Sequence, residues 1–157
     1  MNLHVLVSII QESRDLTALV FPLPDVAGCV DYAITEAGEY LDAILRAKRT
    51  GDKRNNVKDS DERKEWGQCG YMIASAMIQI PNCPMESDCD DSDIYSALQW
   101  LCAFQQHPSE IAWQLADSLE TWKAVCDANG WDAADLLIDT CTAFERKHLP
   151  ELFGVGA

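Results

Sequence analysis

Long apolar runs, strand-like alternation and basic residues are all scarce in this sequence. No stretch of the 157 residues approaches the ~20 consecutive apolar positions of a membrane-spanning helix, so no membrane partner of that kind is expected. Apolar and polar residues alternate for no more than four positions between turn residues, so strands are not expected. The opening MNLHVLVSIIQESRD has no basic n-region and meets acidic and polar residues before any small-residue cleavage site. A secretory signal is therefore not expected, and the expected location is cytoplasmic. Only 12 Lys and Arg stand against 26 Asp and Glu, a net charge of −14. Such a field repels polyanions and argues against a nucleic-acid polymer as partner. There is no CxxC pair and no His at zinc-like spacing, and the seven cysteines are odd in number and scattered. They read as free thiols in a reducing compartment. The acidic stretch NCPMESDCDDSD has no Gly at a turn position, which sets it apart from a calcium loop.

What is present is an ordinary globular composition, 48% hydrophobic and 24% charged, in a chain long enough for one self-sufficient core. A single all-α domain spanning residues 1–157, with about five helices, is expected. Asp25 after Pro22-Leu23-Pro24 is a helix-start signal. The first helix runs from about Val26 to Lys48, and the charged, Gly- and Asn-bearing RTGDKRNNVKDSD after it reads as a loop. A second helix covers about Asp61 to Ile80 and ends at Pro81. A third covers Ile94–Gln106. Ser109 can cap a fourth over about Glu110–Ala128, which Asn129-Gly130 stops, and the last runs from about Asp132 to His148.

At 100° per residue, Val30, Ile34, Ala37, Leu41 and Ile44 form a core stripe on the first helix, and Asp31, Thr35, Gly38, Asp42, Arg46 and Arg49 a polar one. Cys29, Tyr32, Glu36, Glu39 and Ala43 lie between them. Two acids three residues apart repel by a few tenths of a kcal/mol unless something neutralises them, and a divalent cation would do so. On the second helix Glu65 and Gln68 begin a face continued by Cys69, Met72 and Ala76. Antiparallel packing of the two helices would bring three carboxylates and an amide together, as in bundle metal sites, with oxygen donors suited to Mg²⁺ or Mn²⁺. Eight of the twelve basic residues lie between positions 46 and 64 with only four acids, a cationic strip able to receive phosphate. Together these point to a metal-dependent phosphoanhydride site.

The segment Glu36-Ala-Gly-Glu39, followed after 25 residues by Glu65-Trp-Gly-Gln68, resembles the ExxE…ExxD signature of the all-α nucleoside triphosphate pyrophosphohydrolases, the MazG-like family. The resemblance covers residues 25–80, with helices alone over 94–148. It implies a MazG-like helical bundle that hydrolyses a nucleoside triphosphate to the monophosphate and pyrophosphate, with Mg²⁺ or Mn²⁺. Glu36, Glu39 and Glu65 would be catalytic metal ligands. Lys53, Arg54 and Asn55 would hold the leaving pyrophosphate, and Tyr32, Trp66 or Tyr71 would stack on the base. Gln68 stands where the family has Asp and brings no charge. Asp117, in Gln114-Leu-Ala-Asp117, is the first candidate for a compensating ligand and Asp42 the second. A deoxynucleotide is implied, with a purine such as dGTP preferred, as in the enzymes of this kind that shape phage nucleotide pools. A homodimer or homotetramer is implied too. Two other readings stay open: an acidic helical protein that covers a basic partner surface, and a family member that binds nucleotide without hydrolysing it.

Overall fold

Asp25 accepts a hydrogen bond from the Gly28 N–H through Oδ1 at 2.8 Å, satisfying one free donor at the start of the longest helix. In the computed structural model, which describes residues 2–50, 55–89, 93–106 and 111–149, that helix is α2 (Val26–Thr50). It is preceded by α1 (His4–Thr17) and followed by α3 (Asn55–Met77), α4 (Ile94–Gln106), α5 (Ile111–Ala128) and α6 (Ala133–His148). No strand is present among the described residues. An isolated antiparallel bridge joins Asn2 to Glu86, and the Leu3 N–H donates to the Met85 carbonyl at 2.7 Å. No helix among the described residues is long and apolar enough to cross a membrane.

The six helices among the described residues differ from the expected five, because α1 was not anticipated. Its segment HVLVSIIQESRDLT is dense in β-branched residues, which weaken helix propensity, and it carries an arginine on its inner face. That residue, Arg14, is 4% exposed. Its guanidinium donates to the Tyr71 hydroxyl (3.2 Å) and to the Phe21 carbonyl (2.6 Å), and lies 5.6 Å from the centre of the Phe21 ring. A second correction concerns α3, which starts at Asn55 and not at Asp61. The residues between are poor but tolerated helix formers, and a helix already held by tertiary contacts extends through them at a few tenths of a kcal/mol each. The proposed Ser109 cap lies outside the described residues. The stop after α5 is as expected: Gly130 has φ +73°, and Trp131 N–H donates to the Cys126 carbonyl while Gly130 N–H donates to that of Asp127, a Schellman closure. Asp132 caps α6 through the Asp135 N–H at 2.9 Å.

The helix α3 is the hub. It packs on α1, α2, α5 and α6, while α4 bridges α2 and α5. Accordingly, from Cys69 to Met77 it is buried on nearly every side, with Trp66, Cys69, Ala74, Ser75, Ala76 and Met77 all at 0% exposure. Trp66 and Trp122 of α5 lock the hub to α5: each indole N–H donates to the other's carbonyl, at 3.1 and 2.6 Å, each bond contributing about 1 kcal/mol net. The close approach is possible because residue 70 is glycine. A Cβ there would fall 2.5 Å from Trp122 Cζ2.

Candidate functional site

The buried stripe of α2 is Cys29, Val30, Ala33, Ala37, Tyr40 and Ala43, rotated from the one expected. Ile34, Leu41 and Ile44 are only half-buried. Residues 29, 33, 36, 40 and 43 follow the 4-3-4-3 spacing of a packed helix seam, so Glu36 is the one polar residue inserted in that seam. Glu39, one turn on, is exposed. Tyr40, next in the seam, packs its ring on Trp66 with centroids 4.7 Å apart. This contact registers α2 against the first turns of the buried part of α3 and sets Glu36 opposite Glu65 and Gln68.

Glu36, Glu65 and Gln68 form one hydrogen-bonded group, each half-buried. With its amide turned so that both ends have compatible neighbours, Gln68 donates to Glu36 Oε2 at 2.9 Å and to Glu65 Oε2 at 3.3 Å. Burial pushes the Glu36 carboxyl up to about 7. A hydrogen bond with the Glu65 carboxyl, the charge of Glu65 and that of Glu39 act in the same direction, and Lys64 opposes them. Two carboxyl groups hydrogen-bonded to each other share a proton. A proton held by Glu36 relieves the repulsion between the two acids.

The remaining residues singled out from sequence fall differently. Glu39 reaches Glu36 only through its charge. Among the described residues, no three His, Cys, Asp or Glu side chains cluster closely enough to hold a metal ion; the third member at this site is the amide. Asp117 accepts from Ser87 Oγ at 2.6 Å on α5, and α5 packs on α3, α4 and α6 but not on α2 among the described residues. Asp42 is paired with Arg46 at 2.9 Å, on the exposed side of α2. Tyr32 lies one turn before Glu36 and is 53% exposed, free to meet a ligand, whereas Trp66 and Tyr71 are buried in the core. Lys53 and Arg54 lie outside the described residues, as does the side chain of Asn55, the first residue of α3. Of the basic strip, Arg63 is committed to Asp139 of α6 at 2.7 Å. Lys64 is exposed and within electrostatic reach of Glu36. It was not singled out from sequence, although its place immediately before Glu65 was the available signal.

The donor set fits a hard divalent ion. Two carboxylates and an amide oxygen, all on rigid helices, supply three oxygen ligands and up to two negative charges, leaving further positions for phosphate oxygens and water. These residues would offer ligands to one ion, not to a pair. Holding it requires the shared proton to leave and the Gln68 amide to turn its oxygen inward. No protein-family model matches the chain, and neither a curated protein nor a solved structure does.

Proposed function

We propose that this protein is a divalent-metal-dependent hydrolase of a (deoxy)nucleoside triphosphate, giving the monophosphate and pyrophosphate. The observation that supports it is the convergence of Glu36 with Glu65 and Gln68 across the α2–α3 seam, where burial and mutual repulsion push the Glu36 carboxyl up. A Mg²⁺ or Mn²⁺ ion held there would neutralise phosphate oxygens and polarise a water molecule for attack at phosphorus. Glu36 and Glu65 bind the ion and fix its place. Glu36 must give up its proton to bind the ion, so a proton leaving the attacking water goes to a group that the ion does not hold. Glu39, exposed beside the pair, orients a water or adds charge from the solvent side. Lys64 and the strip Lys53, Arg54 and Asn55 receive the pyrophosphate end, and Tyr32 covers the base. A homodimer or homotetramer is part of this proposal, as is a preference for a purine deoxynucleotide such as dGTP.

Pyrophosphate release from a panel of dNTPs and NTPs with Mg²⁺ tests it. Turnover with at least one substrate is expected, and Glu65→Gln should reduce kcat by roughly 10²-fold or more, the scale on which a lost electrostatic partner acts, with helical content intact. Absence of both turnover and Mn²⁺ binding would end the proposal. A second reading, a nucleotide-binding protein without hydrolysis, is favoured by the uncharged Gln68. Binding without pyrophosphate release, with turnover appearing in Gln68→Asp, would establish it.

A further inference from the structure

The inner face of α1 is committed to the core through Leu6, Val7, Ile10 and Arg14. A second stripe runs along the outside of the same helix. Val5 is 64% exposed, Leu16 50%, Leu19 99% and Val20 49%, with Ile9 between them half-buried, one edge packed on the core and the other open. Positions 5, 9, 12, 16 and 19 follow the alternating four-three spacing of a helix seam, and the turn after α1 carries the seam on to Leu19 and Val20. Single exposed apolar residues need no explanation, but a row at seam spacing, broken at Glu12, marks a contact surface. No helix among the described residues covers it.

Charge selects the occupant. The seam position that is not apolar is Glu12, exposed, with exposed Asp15 beside it. The helix's one arginine is turned into the core, so no exposed Lys or Arg offsets these acids on α1. Antiparallel pairing of two copies that sets Val5 against Val20 and Ile9 against Leu16 places the two-fold axis between positions 12 and 13 and so brings Glu12 beside its own copy, in a chain of net charge −14. Self-pairing through this face is therefore opposed electrostatically. A helix with apolar residues at the same spacing and Lys or Arg opposite Glu12 and Asp15 meets both the apolar row and its charge. We propose that the outer face of α1 is a docking surface for a basic amphipathic helix of another protein. The proposal is independent of the hydrolase reading.

A fluorescein-labelled three-heptad peptide with Leu at the seam positions and Lys flanking them is the probe, titrated with the full chain by fluorescence anisotropy. Three results are expected. Leu16→Asp weakens binding about tenfold or more, the scale of one lost apolar anchor. Glu12→Lys weakens the Lys peptide and confers binding on a matched peptide flanked by Glu. A third peptide with Ser at the seam positions and the same charge binds much less tightly. Both substituted residues are exposed, so thermal melting should be unchanged in each variant, and Glu12→Lys tests charge selection without touching the apolar row. Equal binding of the Ser peptide would reduce the effect to bulk charge attraction and overturn the proposal. So would binding indifferent to both substitutions, or sedimentation showing that wild type self-associates through this face and Leu16→Asp does not.

Discussion

Glu36 and Glu39 are three residues apart on one helix, yet one is hydrogen-bonded inside the α2–α3 seam and the other stands in solvent. The consequence is thermodynamic. In the unfolded chain Glu36 ionises at its ordinary value of 4.5, and in the folded protein at about 7. Between these values the native state holds a proton that the unfolded state has lost. Glu36 therefore weakens folding progressively as pH rises through this window, and the penalty is complete above it. For a half-buried group it amounts to about 1–2 kcal/mol after allowance for solvent screening. Glu36→Gln keeps the shape and the hydrogen bonds but not the charge. It should raise the denaturation midpoint relative to wild type at pH 8 and have little effect at pH 5, as urea unfolding at both values would show. Taking the difference between the two proteins cancels the other carboxylates. An equal effect at both pH values would mean that Glu36 is ionised throughout.

At the scale of the element, two helical glycines make opposite predictions. Gly38 lies on the exposed side of α2 and a Cβ there meets nothing, so Gly38→Ala should stabilise by about 0.5–1 kcal/mol through helix propensity. Gly70 faces Trp122, and Gly70→Ala must displace the indole or the helix. It should destabilise by about 1–3 kcal/mol despite the same propensity gain. Chemical denaturation of both variants measures the contrast. This asymmetry shows what the sequence made legible. The cap at Asp25 and the stop at Gly130 were read directly, because they depend on local backbone chemistry. The bounds of α4 and the approximate ends of α5 and α6 followed in the same way. The hub role of α3 was not legible, since a helix buried on nearly all sides has no apolar stripe to reveal its inner face. Nor was the split between Glu36 and Glu39: both suit a helix surface, and only the packing of Tyr40 on Trp66 decides which of them turns inward. In α1 the β-branched run and the inward arginine hid the period that the other helices display.

For the molecule as a whole, the seven thiols report how tightly the bundle is closed. Cys29, Cys69, Cys83, Cys126 and Cys141 are buried, Cys89 is partly covered and Cys102 exposed. Burial pushes the thiols of Cys29, Cys83 and Cys141 up to about 11, and those of Cys69 and Cys126 higher still. In the native state these five are therefore both inaccessible and protonated, and a thiol reagent should label Cys102 fast and Cys89 more slowly. The buried five should react only as the bundle opens. Because α2 and α3 form the most extensive helix pair, an ion tying Glu36 to Glu65 acts on the contact that global opening must break. Ligand binding to the native state alone adds RT ln(1 + [L]/Kd), about 2.7 kcal/mol at a hundredfold excess over Kd. Mn²⁺ at that level should therefore slow labelling of all five buried thiols by roughly 10²-fold, leave Cys102 unaffected, and lose its effect in Glu65→Gln. Mass spectrometry of the labelled peptides distinguishes this from a local effect: protection confined to Cys69, the thiol within electrostatic reach of Glu36, would mean that the ion binds without holding the two helices together.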